Sequence, residues 1–563
     1  MTETIPGGIA VTSITRAEWP SALRRAVVGV AAAFVFAVPF LAYARMVLVH
    51  FYVRGAVLYD AGLFAYAMWH SDLRLSLPPS VGERSFFADH FFALLPVLSA
   101  VSSFLPLSMP QFFAAFIGAS HGLIALAILW LLVEGYGLHR PASLVFSVAL
   151  SLGFAFSGLA VAVSLYPHVE SFEAASLMMF LVALVLGRLR AASAWFVLAL
   201  VTREDAGLHA AILLLVVLAA HHLRGTAWPR RRAALAFAAA GIGYAAAAFA
   251  AQHVFWPSAR LFVAVYLGNP PFSHIDARLI GLRIAFVLRY RAYLLLPALV
   301  AAVWSERAHT PAPVLGLAAC APWLLLHLCA NTPLAGAMAG YYAFPFLLAF
   351  AWPLAGMLVE TGGPPQPAAR TATLRWFAGL VAVGWIPVGG AYNPGRIPLP
   401  GAFLAAPSRS WQAATENAVA ALVAARPLLG RLVVDSSIVA LRPAAFRRSE
   451  MPGWQAGPPD TVALFAEGFD SEALRDLAAQ EGLTQAYAAP GTSLLLLSRR
   501  ALDDVPALRG VYRAEPGALI RPNASSTSSV ATPSSTVSAA PSNTAPRSVS
   551  PKMPTGSVTQ PGG

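Results

Sequence analysis

Acidic and histidine side chains gather in polar segments that interrupt a very apolar sequence. The first segment, residues 51–110, contains Asp60 among apolar residues at helical spacing and, further on, Asp89 and His90 between phenylalanines. A carboxylate beside an apolar surface has a raised pKa because burial disfavours its charged form. Such a group suits general-base chemistry near neutral pH or cation binding. Asp60, Asp89 and His90 are therefore candidate catalytic residues, although each acid is equally compatible with a solvated loop.

A second polar segment follows at residues 166–173. It adds His168 and Glu170, and Glu173 lies three residues further on. His168 and Glu170 are candidates for binding substrate or, with the acids of the first segment, a divalent cation. The alternative is that Glu170 and Glu173 occupy the first turn of a helix, where negative charge interacts favourably with the helix dipole.

A third group of charges precedes an apolar run at Ala206. Thr202 and Asp205 have the spacing of a capping box, which predicts that Asp205 caps the following helix. Arg203 and Glu204 are not needed for such a cap. Charged residues at membrane depth are costly, so we take Arg203 and Glu204 as substrate-binding candidates.

Arginines near the ends of predicted spans form the complementary set. Arg45 and Arg54 flank the end of the first apolar run, and Arg283, Arg289 and Arg291 open a later one. The guanidinium fork matches phosphate oxygens in a bidentate manner. The alternative is that these side chains extend to lipid headgroups. Acids together with arginines on one face suggest a lipid-linked phosphate substrate.

The composition indicates whether these residues belong to a soluble protein or to a membrane protein. Of 563 residues, 11% are charged and 58% are hydrophobic, whereas soluble domains have about 25% charged and about 45–50% apolar residues. The mean hydropathy is +0.64. These values exclude an ordinary cytosolic enzyme and predict an integral membrane protein.

The charge and the cysteines exclude two further classes. The net charge is +12, but the arginines are scattered among apolar runs without the aromatic-interleaved basic stripe of nucleic-acid binding, so no nucleic-acid partner is expected. Cys320 and Cys329 are the two cysteines and share one apolar run. Their spacing puts them on opposite faces of a helix, which excludes a bridge between them.

The apolar runs predict an all-α polytopic membrane protein with about eleven spans. A short cytoplasmic segment, residues 1–25, precedes a transmembrane domain at 26–391. The first run is too long for a signal-peptide core, so we expect a retained anchor. Runs 191–201 and 206–222 are short, and they predict either two spans or one broken pair that dips to a polar site.

The loops predict an orientation. Short basic loops alternate with acidic ones, and positive residues resist translocation. The N-terminus is therefore expected in the cytoplasm, and the long first loop, 51–110, on the outer face of the cell membrane. Membrane lipids are the expected surroundings and partners.

The chain after the last apolar run has a soluble composition. Residues 402–516 predict a small extracytoplasmic α/β domain, with a helix at 411–425, strands near 431–435 and 461–465, a helix at 471–481, and two strands between 484 and 497 around a Pro490-Gly491 turn. Residues 517–563 are rich in Ser, Thr and Pro and poor in large apolar residues, which predicts a disordered tail.

Several of these motifs occur together in a known order. They are Tyr59 to Phe64 with Trp69, Asp89-His90-Phe91 followed by Leu95-Pro96, Gln111, Pro167-His168-Val169-Glu170, and Arg203-Glu204-Asp205-Ala206-Gly207. In these motifs the sequence resembles the domain of unknown function 2079 family, multi-spanning membrane proteins of actinobacteria and other prokaryotes. The sequence departs from the family at Tyr66 or Ala67, where the family commonly has Gln, and at Arg203, where it has Lys.

The layout of that family is similar to that of GT-C-type membrane glycosyltransferases that use polyprenyl-phosphate sugars. The resemblance is at the level of fold. It implies that Asp60, or Asp89 in its place, deprotonates an acceptor hydroxyl while outer arginines hold the donor phosphate. The alternatives are a transporter or lipid flippase, and a non-catalytic membrane scaffold. No cofactor is certain from the sequence, and a divalent cation stays open.

Overall fold

The computed structural model describes most of the chain. The described residues are 21–54, 64–65, 67–68, 85–88, 90–164, 168, 170–257, 263–268, 270–338, 340–386, 407–447, 450, 457–468 and 471–515. They are mostly helical, with one small sheet near the C-terminal end. The tail predicted at 517–563 lies outside these residues.

Fifteen helices make up the apolar part of the described chain. They are α1 Ser21–Val49, α2 Leu94–Phe104, α3 Met109–Trp130, α4 Pro141–Ala155, α5 Gly158–Ser164, α6 Glu170–Val185, α7 Leu189–Leu200, α8 Ala206–Leu223, α9 Arg231–Phe255, α10 Ala277–Tyr290, α11 Ala292–Arg307, α12 Leu315–Leu328, α13 Pro333–Gly336, α14 Pro345–Thr361 and α15 Pro367–Val383.

Local sequence explains where these helices begin. The start of α3 has Pro110 in its first turn, where a missing N–H costs nothing. The Gln111 side chain accepts a hydrogen bond from the backbone N–H of Ser108 at 3.0 Å, which satisfies a donor at the helix start. Proline also stands in the first turn of α4, α14 and α15.

The described helices include several of membrane-spanning length. Four are long and apolar enough to cross a bilayer, and up to six cross if each of two bent pairs counts as one span. The bent pairs are α4 with α5, at 45°, and α10 with α11, at 83°. Shorter apolar helices, among them α7 and α14, coincide with further predicted runs, and α2 lies within the first polar segment. The chain therefore has the apolar helices of a membrane protein, while the count of about eleven stays a prediction.

Contacts sort the helix ends into two groups. Glu134 follows α3 and pairs with Arg188, just after α6, at 3.2 Å. At the other end of α6, Glu170 pairs with Arg203 at 2.8 Å. The Glu134–Arg188 pair and the Glu170–Arg203 pair therefore lie at opposite ends of α6. We call the end that contains Glu170 the acidic end.

The same contacts describe the interruption between α7 and α8. Arg203, in the turn 201–205, returns to Glu170, and the side chain of Arg230, before α9, lies against Gly187. Both α7 and α8 thus run between the two ends, in opposite directions. The turn between them lies at the acidic end, and the choice between two spans and one broken pair stays a prediction.

A small α/β segment, residues 407–515, follows the apolar helices. Its helices are α16 Arg409–Ala425, α17 Ser436–Leu441 and α18 Ser471–Glu481, and its strands are β1 Leu432–Val434, β2 Thr461–Phe465, β3 Gln485–Ala488, β4 Leu494–Ser498 and β5 Arg513–Ala514. The strand order is β1-β2-β4-β3-β5. β1 and β2 are parallel, and the other neighbours are antiparallel. The strands β1, β2 and β4 are buried throughout.

Hydrogen bonds attach this segment to the end of α1. The indole N–H of Trp411 donates to the Tyr52 carbonyl at 3.0 Å, and the Tyr52 hydroxyl donates to Glu416 at 2.9 Å. The Ser493 hydroxyl donates to the Val53 carbonyl at 2.7 Å. These bonds join residues more than 350 positions apart in sequence, so the two parts of the chain form one unit.

Candidate functional site

Eight titratable side chains meet at the acidic end. They come from the first polar segment, the start of α6, the turn 201–205 and the first turn of α8: His90, His168, Glu170, Glu173, Arg203, Glu204, Asp205 and His209. We call this set the buried charge cluster. Seven of them are nearly enclosed, and His90, with 30% of its side chain exposed, is the most accessible.

Glu204 connects the first polar segment to the turn 201–205. Its carboxylate lies 3.1 Å from His90 Nδ1 and accepts the backbone N–H of Phe91 at 2.9 Å. The backbone N–H of Leu94 donates to the Val201 carbonyl at 2.8 Å beside it. Burial by itself raises the pKa of Glu204, but His90 and the guanidinium of Arg203 lower that pKa by a larger amount, so the net shift is downward.

Arg203 joins two carboxylates. Its Nη1 donates to Glu170 at 2.8 Å and its Nη2 to Asp205 Oδ2 at 2.9 Å. His168 contacts the second oxygen of Glu170, and burial lowers the pKa of His168, with smaller contributions from His90 and Arg203. The arginine therefore compensates part of the negative charge that burial would otherwise make costly.

The predicted capping role of Asp205 is wrong. Asp205 precedes α8, but its side chain accepts no capping hydrogen bond, and the Thr202 hydroxyl donates to the Ala199 carbonyl instead. The carboxylate instead accepts a hydrogen bond from Arg203 Nη2 at 2.9 Å, in which both partners are charged. Burial raises the pKa of Asp205, an effect that Arg203 partly offsets.

Glu173, Asp205 and His209 form a potential ligand set. One donor atom from each lies within 4.8 Å of the others. Among the described residues, both Glu173 oxygens, Asp205 Oδ1 and His209 Nε2 have no hydrogen-bond partner. Sequence patterns do not single out these residues as a set: the alternative that Glu173 lies in the first turn of a helix is confirmed, and Asp205 was expected to cap one. The available signal was the four-residue spacing of Asp205 and His209, which places them on one helix face.

Close helix packing positions this set. A Cβ on Gly207 would overlap the Gly241 carbonyl oxygen, so the backbones of α8 and α9 are in direct contact there. Tyr244, one turn further along α9, is within electrostatic range of Glu173, Glu204 and Asp205. Because Tyr244 lies about 16 Å before the end of α9 at 1.5 Å per residue, the cluster is recessed below that end.

Asp60 and Asp89 lie outside the described residues. Their described neighbours nevertheless reach the cluster. Phe64 packs edge-on against His168 with ring centroids 4.8 Å apart, and His90 pairs with Glu204. Phe64 and His90, the described residues nearest to these acids in sequence, therefore contact the cluster.

Two of the predicted phosphate-binding arginines make structural contacts. Arg283 is buried and donates to the Leu328 carbonyl at 2.8 Å, and Arg291 is buried and donates to the Ala337 carbonyl at 3.0 Å. Neither belongs to the cluster. Arg45 and Arg289 are exposed, and the side chain of Arg54 lies outside the described residues.

A cavity of about 900 Å³ lies between α2, the start of α3, and the helices α16 and α17. Its polar lining consists of serine hydroxyls with Glu416 and Arg442. It shares no residue with the buried charge cluster, so the two features are separate.

Comparison with known proteins gives a weak structural similarity. No protein-family model matches the chain, and no curated protein matches it. The fold is similar to the crystal structure of ArnT from Cupriavidus metallidurans bound to undecaprenyl phosphate, with 10% sequence identity and a TM-score of 0.41 over 86% of this chain and 99% of that chain. The resemblance to the domain of unknown function 2079 family stays a prediction.

Proposed function

We propose that this chain is a membrane-embedded glycosyltransferase, which moves a sugar from a polyprenyl-phosphate donor to a cell-envelope acceptor at the acidic end. The observation that supports it is the buried charge cluster, in which His90 of the first polar segment meets acids from α6 and the turn 201–205. Acid–base groups held beside apolar helices suit a reaction between a lipid-linked donor and a polar acceptor.

The chemistry needs a base and a partner for the leaving phosphate. In the proposed reaction, Asp60 or Asp89 takes the proton of an acceptor hydroxyl as its oxygen attacks the anomeric carbon, and the polyprenyl phosphate leaves with the bonding electrons. Both acids belong to the segment that Glu204 holds through His90. Glu204 and His90 thus act as positioning residues for that segment.

Arginines are the proposed contacts of the donor phosphate. Arg45 and Arg289 are exposed, so their guanidinium groups are accessible to a lipid headgroup. Arg203 already bridges two carboxylates, and its Nε has no hydrogen-bond partner among the described residues. We expect Arg203 to orient the acids and the exposed arginines to bind the phosphate.

The test uses the full-length protein in lipid nanodiscs with a panel of polyprenyl-phosphate sugars. Mass spectrometry follows the release of polyprenyl phosphate. Asp60→Asn or Asp89→Asn should slow release by about 10² to 10⁴, the usual contribution of a general base. Glu134→Gln, which removes the Arg188 contact at the opposite end, is the matched control and should react at the wild-type rate.

Cells provide the second arm. Asp60→Asn and Arg289→Ala should each change the envelope glycans at normal protein levels. Unchanged glycans in both, together with no donor consumed in nanodiscs, would contradict the proposal.

The second candidate is a cation-coupled transporter or lipid flippase. The observation that favours it is the recessed position of Glu173, Asp205 and His209, since acids at membrane depth couple ions to transport. Proteoliposomes that hold a fluorescent polyprenyl-phosphate analogue measure flipping. Flipping that Glu173→Gln abolishes, without sugar transfer, would replace the transferase with this function. A scaffold would show neither activity.

A further inference from the structure

The buried charge cluster has an excess of negative groups. Four carboxylates, Glu170, Glu173, Glu204 and Asp205, surround a single guanidinium, that of Arg203. Arg203 and His168 contact Glu170, and His90 contacts Glu204. Ionised carboxylates are strongly disfavoured in an apolar interior unless a cation compensates them. Both oxygens of Glu173 and the Oδ1 atom of Asp205 lack such a contact among the described residues.

The atoms without partners point to one place. Both oxygens of Glu173, Oδ1 of Asp205 and Nε2 of His209 are buried, make no hydrogen bond within the described part of the chain, and converge within 4.8 Å. Ligand atoms around an ion with bonds of about 2.1 Å lie roughly 3.0 to 3.5 Å apart. Small side-chain rotations therefore complete the site, with no change in the helices.

The surroundings hold each ligand in position. Arg203 binds Oδ2 of Asp205 and leaves Oδ1 for the ion, as second-shell groups do around metal ligands. The His209 ring packs edge-on against Trp323 and Phe344, with centroids 4.2 Å and 5.1 Å away. Asp205 and His209 are four residues apart at the start of α8, so the helix itself fixes their spacing.

The donor types select the ion. Two carboxylates and one imidazole suit first-row transition ions such as Zn²⁺ and Mn²⁺. Ca²⁺ and Mg²⁺ prefer oxygen ligands alone. The three protein ligands leave further coordination positions for water or a phosphate oxygen, which is typical of a catalytic rather than a structural site.

We infer that Glu173, Asp205 and His209 bind a divalent first-row transition-metal ion with at least one open position. The binding itself does not depend on the reaction. Its use, to hold the phosphate of a lipid-linked donor, rests on the proposed function.

The test measures metal binding by the full-length protein in detergent. After treatment with a chelator, the protein is reloaded with Zn²⁺ or Mn²⁺ and its metal content is determined by plasma mass spectrometry. We expect one ion per chain, retained in excess Ca²⁺. Glu173→Gln and His209→Gln should each lose most of the bound ion, whereas Glu204→Gln, which changes an acid of the same cluster outside the ligand set, should keep it.

Two further measurements remove the ambiguity of a misfolded variant. X-ray absorption of the wild-type protein loaded with Zn²⁺ should show one imidazole among oxygen ligands. His209→Cys loaded with Co²⁺ should gain a sulfur-to-cobalt charge-transfer band that the wild-type protein lacks. A folded wild-type protein that binds no ion, or variants with unchanged metal content, would overturn the inference. Metal binding without any donor turnover would leave the site in place and reject only the transferase.

Discussion

Gly241 offers a precise test of the packing that holds the candidate site. A Cβ added to Gly241 would lie 2.5 Å from the Gly207 carbonyl oxygen. Ordinary contacts of a Cβ begin near 3.4 Å, so α8 and α9 must separate by about 0.9 Å to accept Gly241→Ala. Such overpacking costs about 1 to 3 kcal/mol. A shift of α8 changes the distances of Asp205 and His209 from Glu173 on α6, and a 1 Å misplacement of functional groups can cost about 10²-fold in rate.

The matched control is on the same helix. A Cβ on Gly243 meets nothing within 4 Å among the described residues, and alanine has the same advantage over glycine in helix propensity, about 1 kcal/mol, at both positions. That advantage cancels in the comparison. Gly241→Ala should therefore be less stable than Gly243→Ala by about 1 to 3 kcal/mol.

The assay is reversible unfolding of both variants in mixed micelles, with Zn²⁺ content measured on the folded fractions. We expect the stability difference above and a reduced metal content for Gly241→Ala alone. Equal stability and equal metal content in the two variants would refute the close contact between α8 and α9.

Three further perturbations follow from the structure. Arg203→Ala leaves two buried carboxylates without their common partner and should destabilise the protein by about 3 to 5 kcal/mol. Arg203→Lys, which cannot contact both carboxylates, should have a stability between those of the wild-type protein and Arg203→Ala. Unfolding in micelles measures both variants, and a wild-type stability for Arg203→Ala would contradict the bridge. Burial raises the pKa of Asp435 to about 6, against 3.8 for the free residue, so the folded state binds this proton more tightly than the unfolded state. The stability of the fold therefore decreases as the pH rises from about 4 through about 6, by roughly 3 kcal/mol in total. Hydrogen exchange of β1, corrected for the intrinsic rate, should show this loss of protection and Asp435→Asn should abolish it; a flat profile in the wild-type chain would exclude the shift. Trp411→Phe removes the indole donor to the Tyr52 carbonyl and should raise the rate of proteolysis within residues 407–515, while an unchanged cleavage rate would show that this bond does not hold the segment.

The secondary structure of the C-terminal segment was accessible from sequence because local patterns determine it. The predicted strand at 461–465 and helix at 471–481 coincide with β2 and α18. The turn around Gly491, whose φ is +75°, separates β3 from β4 as its Pro-Gly pair indicates. These features depend on periodicity and turn chemistry over a few residues.

The cluster was only partly accessible, because it depends on contacts between distant segments. Charge in apolar surroundings predicts five of its members, and these lie in contact: His90, His168, Glu170, Arg203 and Glu204. Their roles in substrate binding and catalysis stay predictions.

The sequence does not indicate which of several possible partners each charged side chain binds. Asp205 has the spacing of a cap, but Arg203 takes its carboxylate. Arg283 has the type of a phosphate ligand, but the carbonyl end of α12 occupies it. His209 lies inside an apolar run, and only the approach of α6 reveals its neighbours.

The bonds from Trp411 and Ser493 to the end of α1 also constrain biogenesis. Val53, just after α1, receives its hydrogen bond from Ser493 only once the chain has been synthesised more than 400 residues further, up to the start of β4. A nascent chain arrested before Ser493 leaves the Val53 carbonyl without this donor. Truncated translation products therefore lack this attachment of the C-terminal segment and should be cut faster by quality-control proteases.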